Sequence, residues 1–278
     1  KVYTMTQGRA PAPRRVHSGA SLLFTLSVGL VVLVSLLPLV IVFVGAFTET
    51  SGPVMRWGEW SLSSLERAIR GAPEPILNSL KFASMATVTG VVFAVLVSYL
   101  TIKKRTAATQ LLDYIVVLPL TISGTVLGIA LLQTFNTGWL IIAGTWGIMV
   151  LAYTLRRLPF AMRNASSTLF NIPDSIEEAS ISLGVSPLIS FFKVVLPAMK
   201  ASIVSAAILM WLTTISELSA SIVVYSGGLE TMPIAIFRQV DSGRLGLASG
   251  YGAALVTLIL VPIVFAIKVF RINLFSSR

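Results

Sequence analysis

Apolar residues do not alternate with polar ones along this chain; they come in long blocks. From Val16 to Thr48 there is no Lys, Arg, Asp or Glu, and the run Tyr114–Leu155 is likewise uncharged. About 20 apolar residues in a helix cross the hydrocarbon core of a bilayer. The blocks predict six spans, at 22–47, 77–102, 112–135, 139–155, 201–225 and 245–270. Tyr114–Leu155 is long enough for two of them, and Asn136-Thr137-Gly138 supplies the turn that divides it. Pro38 predicts a kink in the first span, and Gly246, Gly250 and Gly252 favour a late start to the last. The fold class expected is an all-α membrane protein of six transmembrane helices, with residues 1–21 as a polar tail and 22–278 as the membrane domain.

One stretch, 156–200, departs from the pattern. Asn171-Ile172-Pro173-Asp174-Ser175 stops one helix and starts another. Asp174 or Ser175 is placed to cap it, with Glu177 and Glu178 in its first turn, where the helix dipole favours acids. Ile176, Ala179, Ile181 and Leu183 give this helix an apolar side, and Gly184 ends it. Ser186-Pro187 begins a second helix, Leu188–Val195, whose Ile189, Phe192 and Val195 form another apolar side before Leu196-Pro197. Apolar faces left open on a loop mark a surface for a partner.

Composition narrows the class. The 278 residues are 55% hydrophobic and 12% charged, half the charge of a soluble domain, which carries roughly 25%. There is no cysteine, and the one histidine, His17, lies in the basic tail. Thiolate sites, histidine metal sites and a Ser-His nucleophile pair are therefore not expected, nor is any metal, cofactor or catalytic residue. No Gly-x-x-x-x-Gly-Lys occurs, so this chain has no phosphate-binding loop of its own. The net charge of +10 reads as membrane topology rather than nucleic-acid binding. Fifteen bases fall in the tail, the 103–105 turn, the 156–200 loop and the C-terminus, against five in the opposite loops. The richer side is the cytoplasmic one, so both termini and the 156–200 loop are expected there. Trp57 and Trp60, on the opposite side, suit interface anchors.

The sequence Glu178-Ala179-Ser180, three residues, Gly184, nine residues, Val194-Val195-Leu196-Pro197 resembles the EAA loop of bacterial ABC importer permeases. That pattern is Glu-Ala-Ala, three residues, Gly, nine residues, Ile-x-Leu-Pro; Ser180 and Val194 are the two departures. The likeness extends from about Leu77 to the C-terminus. It implies a permease subunit of a binding-protein-dependent importer in the bacterial inner membrane, forming half of a translocation pathway. The implied partners are a second permease half, on the same or another chain, two cytoplasmic ATP-binding cassette subunits, a periplasmic substrate-binding protein and membrane lipid. ATP would be hydrolysed by the partners, not here. Glu178, Ala179, Ser180, Gly184, Leu196 and Pro197 would form the part that docks in a groove of the ATPase, Glu178 making the polar contact and Gly184 setting the bend. The tail Lys1–Gly8, the stretch Ser216-Glu217-Leu218-Ser219-Ala220-Ser221 and Ala235-Ile236-Phe237-Arg238 look like the second half of double-length permeases of the ferric-iron type. Lys1 in place of Met fits a cut between such halves. The implied substrate is ferric iron or a related small polar solute, such as a polyamine, phosphonate or sugar phosphate. A secondary transporter or channel, working without ATP, is the alternative; it would leave the 156–200 loop without a purpose.

Glu217 is the only acid well inside an expected span, and its position places it past the midplane, toward the outside. Two roles fit it. With Ser216 and Ser219 it would form a pathway or gate, or it would hold the fifth span to a neighbour by a hydrogen bond. Asp113 suits a boundary ion pair. Pro119, Thr121, Ser123 and Gly124 predict a break in the third span, and Pro233 the start of a short amphipathic helix ending near Asp241-Ser242-Gly243.

Overall fold

The computed structural model describes residues 18–270, and the expectations for Lys1–His17, Arg271 and Arg278 lie outside them. Two compact units divide at Val42 and Phe43. The first is most of helix α1 (Ser18–Ala46), which is apolar and, over residues 21–41, exposed on all sides, the mark of a helix that meets lipid or another membrane helix.

After the short α2 (Ser63–Glu66), the second unit is built on α3 (Glu74–Lys103), α6 (Trp146–Asn171) and α10 (Lys200–Ile215). Small residues let these backbones close in: Ala86 and Ala94 on α3 pack with Ala152, Ala161 and Ala165 on α6, and Gly90 sits against Met210 of α10 and Thr154 of α6. Thr89 and Thr154 hydroxyls meet at 3.0 Å, and the Ser98 hydroxyl donates to the Met162 carbonyl at 3.0 Å. Partner positions rise together on α3 and α6, so these two helices are parallel. Ser202 on α10 donates to Asn164 Oδ1 at 2.8 Å, and the Trp211 indole donates to Ser84 at 3.1 Å. Those positions run in opposite senses, so α10 is antiparallel to both.

The third expected span is broken. α4 (Ala107–Thr121) and α5 (Gly124–Phe135) meet at 112° across Ile122 and Ser123. Ser123 restarts the helix by accepting from the Val126 N–H. Beyond α6 come α7 (Asp174–Ser182), α8 (Pro187–Ser190), a π turn at Phe191–Val195 and α9 (Leu196–Ala198), which leads into α10 through a 70° bend. After α10 the chain unwinds before the short α11 (Ser221–Val224). α12 (Met232–Asp241) starts with Pro233 in its first turn, as its sequence suggests, and α13 (Leu245–Phe270) ends the described chain.

Among the described residues three helices, α1, α3 and α13, are long and apolar enough to cross a membrane, and up to five segments are if each of the bent pairs α4–α5 and α8–α10 is one span. The expected span 139–155 takes a different form. Residues 139–145 are not helical, and α6 begins at Trp146 and runs sixteen residues into the segment read as loop. Pro159 does not end it, because a proline inside a well-packed helix removes one hydrogen bond without stopping the next turn. The chain is also not wholly helical: β1 (Thr48–Ser51) and β2 (Val54–Trp60) form an antiparallel hairpin turned at Gly52, whose φ is +62°. Trp57 and Trp60 project from it, both about three-quarters exposed.

Candidate functional site

Two groups of polar side chains interrupt this apolar framework, one at the end of α3 and one level with its middle.

The first is α7 and the segment after it. α7 is fastened to the end of α3 by its own acids. The Tyr99 hydroxyl donates to Glu177, and Lys103 pairs with Asp174 while also donating to the Ile172 carbonyl at 2.7 Å. Lys103 is almost wholly buried, so this ion pair is shielded from water on one side. Asp174 therefore grips a neighbouring helix instead of capping its own; no side chain caps α7. Behind it, the Phe191 ring packs against that of Tyr99 at a 58° tilt with centroids 4.6 Å apart, and Val195 and Met199 enter the core formed by Met162, Ala165 and Leu169. With Glu177 buried against α3 and Asp174 held at its edge by Lys103, the rest of the element faces out. Glu178, Ala179, Gly184 and Pro197 are exposed, while Ser180 and Leu196 are half-buried. Ile176, Ile181, Leu188 and Phe192 stay open around them, and Leu183 is 85% exposed.

Gly184 has φ +87°, the left-handed region that glycine enters without strain. Its N–H donates to the Ile181 carbonyl at 2.9 Å and the Val185 N–H to that of Ser180 at 3.3 Å, the paired bonds that close a helix end on a glycine. Pro197 has no N–H. The preceding π turn adapts to it, the Leu196 N–H reaching back to the Phe191 carbonyl. The chain bends at Met199, two residues on.

The second group centres on Glu217, which is 3% exposed. It does not sit inside a helix. α10 stops at Ile215, and Glu217 lies in the unwound stretch before α11. Arg156 Nε donates to its Oε2 at 3.1 Å, and Arg157 pairs with the same oxygen. The Ala220 N–H donates to Oε1 at 3.3 Å, so the carboxylate also replaces a missing helical bond. Arg156 reaches further, donating to the Ile122 carbonyl at 3.3 Å, in the break between α4 and α5. Gly124 allows this approach: a Cβ there would lie 2.6 Å from the Ser219 Cβ and 3.0 Å from the Ala220 nitrogen. Ser216 and Ser219 are exposed beside the buried carboxylate.

This geometry revises the charge reading. Arg156 and Arg157 are not loop residues. Thr154, half a turn earlier on α6, touches Ala86 and Thr89 in the middle of α3, which sets the level of both arginines and of Glu217. Removing them leaves thirteen bases against five, a bias of the same sign. Asp113 makes no ion pair among the described residues. Sequence reasoning counted both arginines and Lys103 as loop bases, gave Asp174 and Glu177 only roles within their own helix, and passed over Tyr99. A signal for the arginines existed, since an acid in an apolar segment demands a base and these two close the uncharged run Tyr114–Leu155.

Residues 86–273 match the family described as binding-protein-dependent transport system inner membrane component. The chain belongs to that family. Its relatives are transport permeases, not enzymes. The ferric transport system permease protein FbpB of Actinobacillus pleuropneumoniae is 26% identical over 226 residues, covering 81% of this chain and 33% of that protein. The chain thus spans about a third of that ferric permease's length. A putative 2-aminoethylphosphonate transport system permease protein, PhnV of Salmonella paratyphi A, is 28% identical over 239 residues, covering 85% of this chain and 88% of the relative. Among solved structures, a bacterial ABC transporter involved in the import of the acidic polysaccharide alginate has a chain that superposes with a TM-score of 0.68 at 15% identity, covering 95% of this chain and all of that one. The MetNI methionine ABC transporter gives 0.61 at 19% identity, covering 76% and 98%. The permease fold and multi-pass insertion in a membrane follow from the family and the apolar helices together.

Proposed function

We propose that this chain is one six-span half of the pathway of an ABC importer, with α7 as the element that receives force from a cytoplasmic ATPase. The six spans are α1, α3, the bent pair α4–α5, α6, α10 with its unwound end, and α13. The parallel α3 and α6 with the antiparallel α10 fit that threading. The observation that carries the reading is the division of labour on α7. Glu177 and Asp174 bind back to α3, while Glu178 and the apolar side chains beside it are left facing outward. A surface that is rigidly held and apolar suits a partner better than it suits water.

In this proposal the side bearing α7 and both termini is cytoplasmic, and Glu178, Ala179, Ser180, Gly184, Leu196 and Pro197 form the docking part. A second permease half, two ATP-binding cassette subunits and a periplasmic binding protein complete the machine. Glu217, Ser216 and Ser219 line the pathway at its two helix breaks. The solute is ferric iron or a small polar anion such as a phosphonate, in keeping with the relatives' names.

The absence of cysteine makes the test direct. Glu178→Cys, the sole thiol of the variant, should cross-link in membranes to a soluble ATP-binding subunit, with the yield changing when ATP is added. Uptake that continues when that subunit is deleted would overturn the proposal in favour of an ATP-independent transporter.

A further inference from the structure

A third set of polar side chains shares no residue with either group. Between the end of α3, the start of α4 and the second half of α6 is a cavity of about 550 Å³. Arg105 enters it from the α3–α4 turn, Gln110, Asp113 and Tyr114 from α4, and Arg163 and Ser166 from α6. None of the ion pairs among the described residues involves Arg105, Asp113 or Arg163. Two guanidinium groups and one carboxylate thus share a cavity without neutralising one another, with one positive charge in excess. The cavity is level with the last turns of α3, next to Lys103 and Lys104, where the apolar part of that helix ends. From its mouth an exposed apolar stripe runs along α4 at helical spacing: Leu111, Tyr114, Ile115 and Leu118.

The geometry points to a binding site for the headgroup of an anionic glycerophospholipid. A phosphodiester carries one negative charge, which matches the excess, and its oxygens suit the forked donors of Arg105 and Arg163. The glycerol hydroxyls of phosphatidylglycerol would donate to Asp113 and Gln110. The acyl chains would lie along the α4 stripe, which favours a lipid over a soluble phosphate ester. A zwitterionic ethanolamine headgroup brings no net charge and leaves the excess uncompensated. The site depends on the chain being in a membrane, not on the proposed direction of transport.

The test uses the protein purified in mild detergent with the transport partners it retains, mixed with equal amounts of phosphatidylglycerol and phosphatidylethanolamine. Native mass spectrometry counts the lipids that stay bound. Phosphatidylglycerol should be retained selectively, and Arg105→Gln with Arg163→Gln should reduce its retention about tenfold, the scale of losing charge-assisted hydrogen bonds. Lys104→Gln, outside the cavity, should change little. Asp113→Asn should raise retention, a gain that misfolding cannot produce. Equal retention by the double variant, a preference for phosphatidylethanolamine, or no gain from Asp113→Asn would overturn the assignment. Displacement of the lipid by free glycerol 3-phosphate would show a site for a soluble ester and overturn the lipid.

Discussion

Arg156 and Glu217 meet at 3.1 Å across two interruptions in the helical framework. The arginine stands on an unbroken helix, the carboxylate in the unwound end of another, and the arginine's second donor reaches the break between α4 and α5. One side chain therefore ties together two places where the backbone has given up its own hydrogen bonds. Glu217 also holds Arg157, and both arginines are about four-fifths buried.

Removing that carboxylate should be severe. Glu217→Gln keeps a hydrogen-bond acceptor but leaves two buried guanidinium groups without a counter-charge. Breaking a buried pair from one side costs about 3–5 kcal/mol in soluble interiors. The variant should lose several degrees of apparent Tm in detergent, and adding Arg157→Gln should restore part of the loss. If Glu217→Gln melts like the parent and transports normally, the pair carries no weight.

The glycines at the α5 contact and in α3 should respond differently to the same methyl group. At Gly124 the added carbon meets Ser219 and the backbone of Ala220, neither of which can retreat easily. At Gly90 it meets the flexible end of Met210. Gly124→Ala should cost about 1–3 kcal/mol as overpacking, and Gly90→Ala less. Thermal melts of the two variants, side by side, check the order.

Gly184 is surrounded by open space, so its substitution tests conformation rather than bulk. An alanine in the left-handed region costs about 1–2 kcal/mol, and a β-branched residue more. Uptake should fall in the order Gly, Asn, Ala, Val at equal membrane content. A Gly184→Val protein that transports like the parent would remove Gly184 from the coupling element.

Glu177 and Glu178 are adjacent and should behave as opposites. Glu178→Ala should leave stability within about 0.5 kcal/mol, as exposed substitutions do, yet weaken ATPase association. Glu177→Gln should loosen α7 from α3, and its effect should not add to that of Tyr99→Phe, because the two share one hydrogen bond. Additive effects in that double-mutant cycle would dissolve the proposed tether.

The apolar blocks alone determined α1, α3 and α13 to within a few residues, because a membrane helix satisfies its own backbone and needs only length and hydropathy to be recognised. Local chemistry likewise determined the glycine that ends α7, the proline that starts α12 and the break near Ser123. What the blocks did not determine was where α6 begins and how far it runs. Arg156 and Arg157 read as the edge of a loop because an acid in an apolar segment calls for a base without saying which one, and Glu217 lies sixty residues later in the chain. The choice between Glu177 and Glu178 was also beyond the sequence. Both sit in the first turn of α7, and only the packing of α7 on Tyr99 turns one inward and leaves the other out. In each case the deciding partner is distant in sequence, and only the packed helices bring it within reach of a hydrogen bond.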